Sequence, residues 1–153
     1  MKIAIGSDHR GFTTKEHIRV QLEELGNSVT DLGTHSAEPC DYPDAAIKVA
    51  KAVSNGEAER AVLICGSGIG VAITANKVPG VRAALCHDAY SAEMSRRHND
   101  ANILCIGSDR VGEAAIAEIV RSWITTEFEG GRHARRVAKI MDYEAARDAD
   151  CKK

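Results

Sequence analysis

Cys65-Gly66-Ser67-Gly68-Ile69-Gly70 is the stretch of this chain best equipped for chemistry. It follows the apolar run Ala61–Ile64 and precedes a helical pattern, so it reads as a strand feeding a glycine turn at a helix N-terminus. Unpaired backbone N–H groups and the helix dipole make such a turn a place for anions. Glycines at 66, 68 and 70 let a ligand approach the main chain closely. The same field favours the thiolate of a cysteine held there, and a thiolate beside oxyanion-binding amides can act as base or nucleophile. A second reading fits the residue equally: a buried cysteine is commonly a small core side chain. That second reading is preferred for Cys40, Cys86 and Cys105, and Cys151, in the tail, reads as uninvolved.

Other polar groups gather near the ends of predicted elements. Asp8-His9 follows the first apolar run, where a turn or helix cap is the plain alternative. His98-Asn99 closes a helical stretch, and Arg96, Arg97 and His98 there suit the negative end of a helix dipole. Arg132 and Arg136 stand four apart on one helix face. Two guanidiniums so placed fit a phosphate dianion, and equally a solvated basic face paired with Glu127, Glu129 or Asp142.

Several familiar motifs do not fit. A dinucleotide fingerprint reads GxGxxG, whereas GSGIGV lacks the third glycine at its place. The Lys-Ser/Thr pair of a P-loop is missing, and residues 66 to 76 contain no Arg to close a cysteine phosphatase loop.

The elements that must carry these residues alternate. Predicted strands cover Lys2–Gly6, Ser28–Leu32, Ala61–Cys65, Val81–Cys86 and Asn102–Ile106. Predicted helices cover 11–25, 44–53, 70–77, 91–97, 111–125 and 133–148. Repeated strand–helix units mean an α/β fold with a parallel sheet covered on both faces. Ligands in such sheets collect beyond the carboxyl ends of the strands, which is where Asp8-His9 and Cys65–Gly70 fall. His98 and Asn99 precede a strand and so belong to the opposite edge, unless the preceding helix is short or another subunit supplies them to the first.

The 153 residues suit a single domain. Net charge is −2, from 20 Lys and Arg against 22 Asp and Glu, with 4% aromatic residues. Neither an electrostatic pull toward nucleic acid nor a base-stacking surface is expected. No apolar run approaches membrane-spanning length, and five cysteines without CxxC suggest no disulfide framework or zinc site. A reducing cytoplasm is the expected location.

Taken together, IAIGSDHRGF, DYPDAA, LICGSGIGVAITANK, VRAALCHDAYSAEMSRRHNDANIL and EGGRHARRV resemble the ribose-5-phosphate isomerase B family, the RpiB/LacA/LacB sugar-phosphate isomerases. The resemblance covers nearly the whole chain. It implies a three-layer α/β/α Rossmann-like sandwich with a five-stranded parallel sheet, working as a homodimer or dimer of dimers with sites shared between subunits. The helix over 133–148 would then pack on the partner subunit. The implied reaction interconverts ribose 5-phosphate and ribulose 5-phosphate through an enediolate, with no metal and no cofactor. By the same resemblance Cys65 is the base, and Ser67 moves a proton between the two oxygens. His98 opens the sugar ring, and Asp8 holds the hydroxyls or shares that role. Tyr42 and Asn99 contact the sugar. His9, Arg132 and Arg136 hold the phosphate, while amides of Gly66, Gly68 and Gly70 stabilise the enediolate.

A second branch of the family uses a glutamate instead of the cysteine. Here Ile69, Val71, Ala72 and Ile73 occupy that place, with Thr74 the nearest polar side chain. One departure is Gly107-Ser108-Asp109-Arg110, where the arginine falls one position late and Asp109 would repel a dianion. That opens a six-carbon alternative, allose or galactose 6-phosphate. A nucleotide-binding module without catalysis is the competitor from another class.

Overall fold

The structure, a computed structural model, describes residues 1–150, so Cys151 lies outside the described residues. Five parallel strands, β1 (Lys2–Ser7), β2 (Ser28–Asp31), β3 (Arg60–Cys65), β4 (Ala83–Leu85) and β5 (Ile103–Gly107), lie in the order β2-β1-β3-β5-β4. Between and after them run α1 (Phe12–Glu24), α2 (Tyr42–Ser54), α3 (Ile69–Ala75), α4 (Ala89–Asn99), α5 (Glu113–Thr125) and α6 (Arg132–Asp150). The expected α/β/α sandwich with a five-stranded parallel sheet is what forms.

Strand alternation assigns each side chain to a face. Ile3, Ile5, Val62, Ile64, Leu104 and Ile106 point to one side, where they pack with Ile18 and Leu22 of α1 and Ile119, Val120 and Trp123 of α5. Ala4, Ala61, Leu63, Cys65, Ile103 and Cys105 point to the other, against Ala46, Val49 and Ala50 of α2 and Val71 and Ala75 of α3. The second face is built of smaller residues. A Cβ on Gly6 would lie 2.7 Å from Val49 Cγ2. Being the last residue of β3 on this face, Cys65 emerges under the start of α3 and the start of α2.

Two helices begin two residues earlier than periodicity predicts, for local reasons. α2 starts at Tyr42 because Pro43 sits in the first turn, where its missing N–H costs nothing. α4 starts at Ala89 because Asp88 and Ser91 form a reciprocal capping box. The fourth strand is shorter than expected. It begins at Ala83 because Arg82 bonds to the Asn102 side chain and to residues before β5. Asp88 is held below the usual carboxylate range chiefly by the Ser91 N–H. No helix among the described residues is long and apolar enough to cross a membrane.

Candidate active site

At the carboxyl edge of the sheet a cavity of 410 Å³ opens between the ends of β1, β3 and β5. Asp8, Tyr42, Cys65, Ser67 and Gly70 line it, as do Arg10, Asp109 and Arg110. Cys65 is only 3% exposed, so the cavity is the route to its sulfur. The Gly68 N–H donates to Sγ at 3.1 Å, and the Ile69 N–H donates to Ser67 Oγ at 3.2 Å. Two amides of the turn are thus engaged within it. Of the three glycine amides expected to serve an anion, that of Gly68 is therefore taken by the sulfur. This narrows the set expected from the glycine pattern. Ser67 Oγ, accepting from Ile69, keeps its own proton to give.

The glycines have specific reasons. Gly68 has φ of +75°, and a Cβ there would meet Leu85 Cδ1 at 2.5 Å and the Ile106 carbonyl carbon at 2.8 Å. Gly70 carries the Tyr42 ring, whose Cε2 and Cζ would lie 2.7 Å from an added Cβ. Gly66 lies under Arg10 and Asp109. Thr74, the nearest polar side chain on α3, bonds back to the Gly70 carbonyl at 2.9 Å. No acid on α3 reaches the cavity.

Asp8 is a cap and a cavity residue at once. Its Oδ1 accepts the N–H groups of Arg10 and Gly11, each at 3.0 Å, ahead of α1. The backbone thereby fixes one carboxylate oxygen and orients the other. His9 does not line the cavity; its Nδ1 lies 3.2 Å from the main-chain groups of Cys40 and pins the loop before α2. Asp109, expected to repel a dianion, forms an ion pair with Arg10 instead. That pairing offsets its charge, and Arg110 does line the cavity despite falling one place late.

His98, Asn99, Arg132 and Arg136 gather elsewhere. α4 runs antiparallel to the strands, so His98 and Asn99 at its end lie beside the start of β5, while Cys65 lies level with Gly107 at its end. The five residues of β5 separate the two edges by roughly 16 Å. The His98 ring stacks on His133, with centroids 4.2 Å apart and planes 1° from parallel. Glu129 Oε2 lies 3.5 Å from His98 Nε2 and 3.8 Å from His133 Nε2. Among the described residues neither Arg132 nor Arg136 pairs with a carboxylate. Two of the three acids expected to neutralise them are engaged elsewhere: Glu127 holds Arg60, and Glu129 holds Arg97. Behind this edge the guanidiniums of Arg60 and Arg96 both lie over the Trp123 ring, at 5.7 and 5.8 Å. Arg60 also caps the carbonyls ending α5, which fixes the segment leading to Glu129.

A comparison of the sequence with protein families matches Ribose/Galactose Isomerase over residues 3–140. The chain belongs to this family. Ribose-5-phosphate isomerase B of Escherichia coli K12 is 48% identical over 147 residues, covering 96% of this chain and 99% of that one. A solved ribose-5-phosphate isomerase B from Clostridium thermocellum is 53% identical and superposes with a TM-score of 0.93, over 95% of this chain and 99% of that chain. A D-erythrulose-4-phosphate isomerase of Pectobacterium atrosepticum is 42% identical over 148 residues, 94% of this chain and 95% of that one.

Three residues outside the expected set belong to these two clusters. Arg10 follows Asp8-His9 at the same sheet edge, and its ion pair with Asp109 joins segments remote in sequence. The sequence offers Glu129 only as a counter-charge for Arg132 and Arg136. His133 has no expected role, although an imidazole among the arginines of EGGRHARR is a usable signal. The thiols read as core are core: Cys105 is enclosed and burial pushes it well above the ordinary thiol range, and burial also raises Cys86. Cys40 is the exception, being half-buried in the loop that His9 pins.

Proposed function

We propose that this protein interconverts ribose 5-phosphate and ribulose 5-phosphate, with Cys65 as the base. The observation that carries the reading is a cysteine sulfur on a cavity at the sheet edge, accepting the Gly68 N–H from the glycine turn that opens α3. In the open-chain aldose, the Cys65 thiolate takes the proton from C2 and the electron pair forms the C1–C2 double bond. The resulting charge on O1 is met by N–H groups of the glycine turn, which need no reorganisation. Ser67 Oγ relays the O2 proton to O1, and the thiol returns a proton to C1. One proton leaves carbon and one returns, so no oxidant is consumed.

The phosphate and ring-opening groups come from a second subunit in this reading. Asp8, Tyr42 and Cys65 belong to one edge of the chain, and His98, Asn99, Arg132 and Arg136 to the other. A homodimer in which the His98 edge of one copy closes the Cys65 cavity of the other unites them, with α6 packing across the interface. The exposed Ile140 and Tyr143 on α6 support that packing. In the same reading His9 reaches the phosphate from beside the cavity. Four free cysteines among the described residues agree with a reducing cytoplasm.

The test is ribulose 5-phosphate formation in the presence of a chelator, with solvent deuterium exchange at C1 of ribulose 5-phosphate followed by NMR. Cys65→Ala should abolish both while sugar phosphate still binds; exchange retained in that variant removes Cys65 from the mechanism. A four-carbon substrate is the second reading, favoured by the erythrulose 4-phosphate relative. Relative kcat/KM on tetrose, pentose and hexose phosphates separates the substrates. The Arg10–Asp109 pair weakens the six-carbon alternative, since the repulsion that motivated it is offset.

A further inference from the structure

Opening a furanose needs a proton delivered to the ring oxygen and one taken from the anomeric hydroxyl. An imidazole does this well only when its ring is held still and its charge is supported. The surroundings of His98 supply both. One face lies flat on His133, which is 5% exposed. Gly130 and Gly131, at φ of +67° and +54°, turn the chain so that Glu129 and His133 both face His98. Glu129 is itself anchored, its N–H donating to the Arg97 carbonyl at 3.0 Å and its Oε1 accepting from Arg97 at 3.3 Å.

The two imidazoles are not equivalent. Arg132 Nε donates to His133 Nε2 at 3.3 Å, so that nitrogen is an acceptor and carries no proton. Burial pushes His133 below the ordinary histidine range, aided by the positive fields of His98, Arg132 and Arg136 and opposed by Glu129. His133 is therefore a neutral platform, and the stack does not set two cations face to face. His98 Nε2 faces the Glu129 carboxylate. Its other nitrogen has no protein partner among the described residues and is open to a substrate.

We propose that Glu129 and His133 are positioning residues for ring opening, holding His98 flat and supporting its charge while it transfers the proton. This rests on the isomerase reading above. The same three side chains also lie close enough to suggest an ion site, with ligand atoms within 4.8 Å of one another. The stacking argues against it. In parallel rings the in-plane lone pairs run side by side and do not converge on one ion.

The test uses two substrates of the intact protein. Ribose 5-phosphate is mostly cyclic and must open. Ribulose 5-phosphate carries its phosphate on O5 and cannot close a five-membered ring, so hydrogen exchange at its C1 needs the enediolate but no opening. Glu129→Gln and His133→Ala should lower kcat on ribose 5-phosphate by ~10-fold or more, a fraction of what a positioned acid–base group supplies. Both should leave C1 exchange in ribulose 5-phosphate near the parent rate. His133→Phe, which keeps a flat ring, should recover much of the loss. Equal losses on both substrates, or no loss on either, overturn the proposal. So does chelator-reversible inhibition by zinc chloride that His133→Phe abolishes, which would make the cluster an ion site. A parent protein showing neither isomerisation nor exchange would instead refute the isomerase reading, and this inference with it.

Discussion

Gly68→Ala and Gly70→Ala add the same methyl group two residues apart, and the geometry separates their consequences. At Gly68 the backbone is left-handed, which costs a residue with a Cβ about 1–2 kcal/mol. Its Cβ would stand 2.8 Å from the Ile106 carbonyl carbon and 2.9 Å from the Gly107 nitrogen, main-chain atoms of β5 that cannot move singly. Forcing atoms into a packed region costs about 1–3 kcal/mol more. The sum, about 2–5 kcal/mol, corresponds to a fall in Tm of about 4–20 °C at this chain length. At Gly70 the backbone is helical, and the obstacle is the Tyr42 ring, 41% exposed and able to swing aside. Alanine is also the better helix former by about 1 kcal/mol. Gly70→Ala should therefore keep its Tm within a few degrees, yet raise KM for the sugar phosphate as Tyr42 is pushed from the cavity. Urea and thermal unfolding, with initial rates across substrate concentrations, measure both variants. Equal destabilisation of the two, or a Gly68→Ala protein as stable as the parent, would refute the assignment of backbone and side-chain obstacles.

Three further outcomes follow from the same geometry. Iodoacetamide should modify Cys65 through the cavity and ribulose 5-phosphate should slow it, while enclosed Cys105 stays unmodified until unfolding; mass spectrometry of native digests reads this, and early labelling of Cys105 contradicts it. Asp109→Asn removes the carboxylate paired with Arg10, so KM for a phosphorylated sugar should fall, with stability nearly unchanged because the pair is exposed; a rise in KM would show that Asp109 aids binding. The His133 imidazole is depressed in the folded state, so as pH falls the unfolded chain takes up its proton first. Its contribution to stability is full above the ordinary histidine value and is lost as pH drops through that value toward the folded one. Urea midpoints between about pH 5 and 8 should show this slope in the parent and a smaller one in His133→Phe, and an unchanged slope would count against a depressed imidazole.

Much of the fold is legible locally. Continuous apolar runs in Val62-Leu63-Ile64-Cys65 and Ile103-Leu104-Cys105-Ile106 specify strands buried on both faces, and the strand–helix rhythm specifies parallel pairing. The same arithmetic puts Asp8 and Cys65 at one edge and His98 at the other, because successive elements reverse direction. Glycine spacing points to the turn beside the sulfur. Side-chain pairing across the fold was not legible: the Tyr42 ring on Gly70, Arg10 on Asp109 and His133 beneath His98. Each joins segments that only the strand order β2-β1-β3-β5-β4 or the turn at Gly130-Gly131 brings together. Periodicity is a property of neighbouring residues and is written in the sequence. Which distant charge meets which depends on sub-nanometre distances set by packing, and the tertiary structure alone decides that.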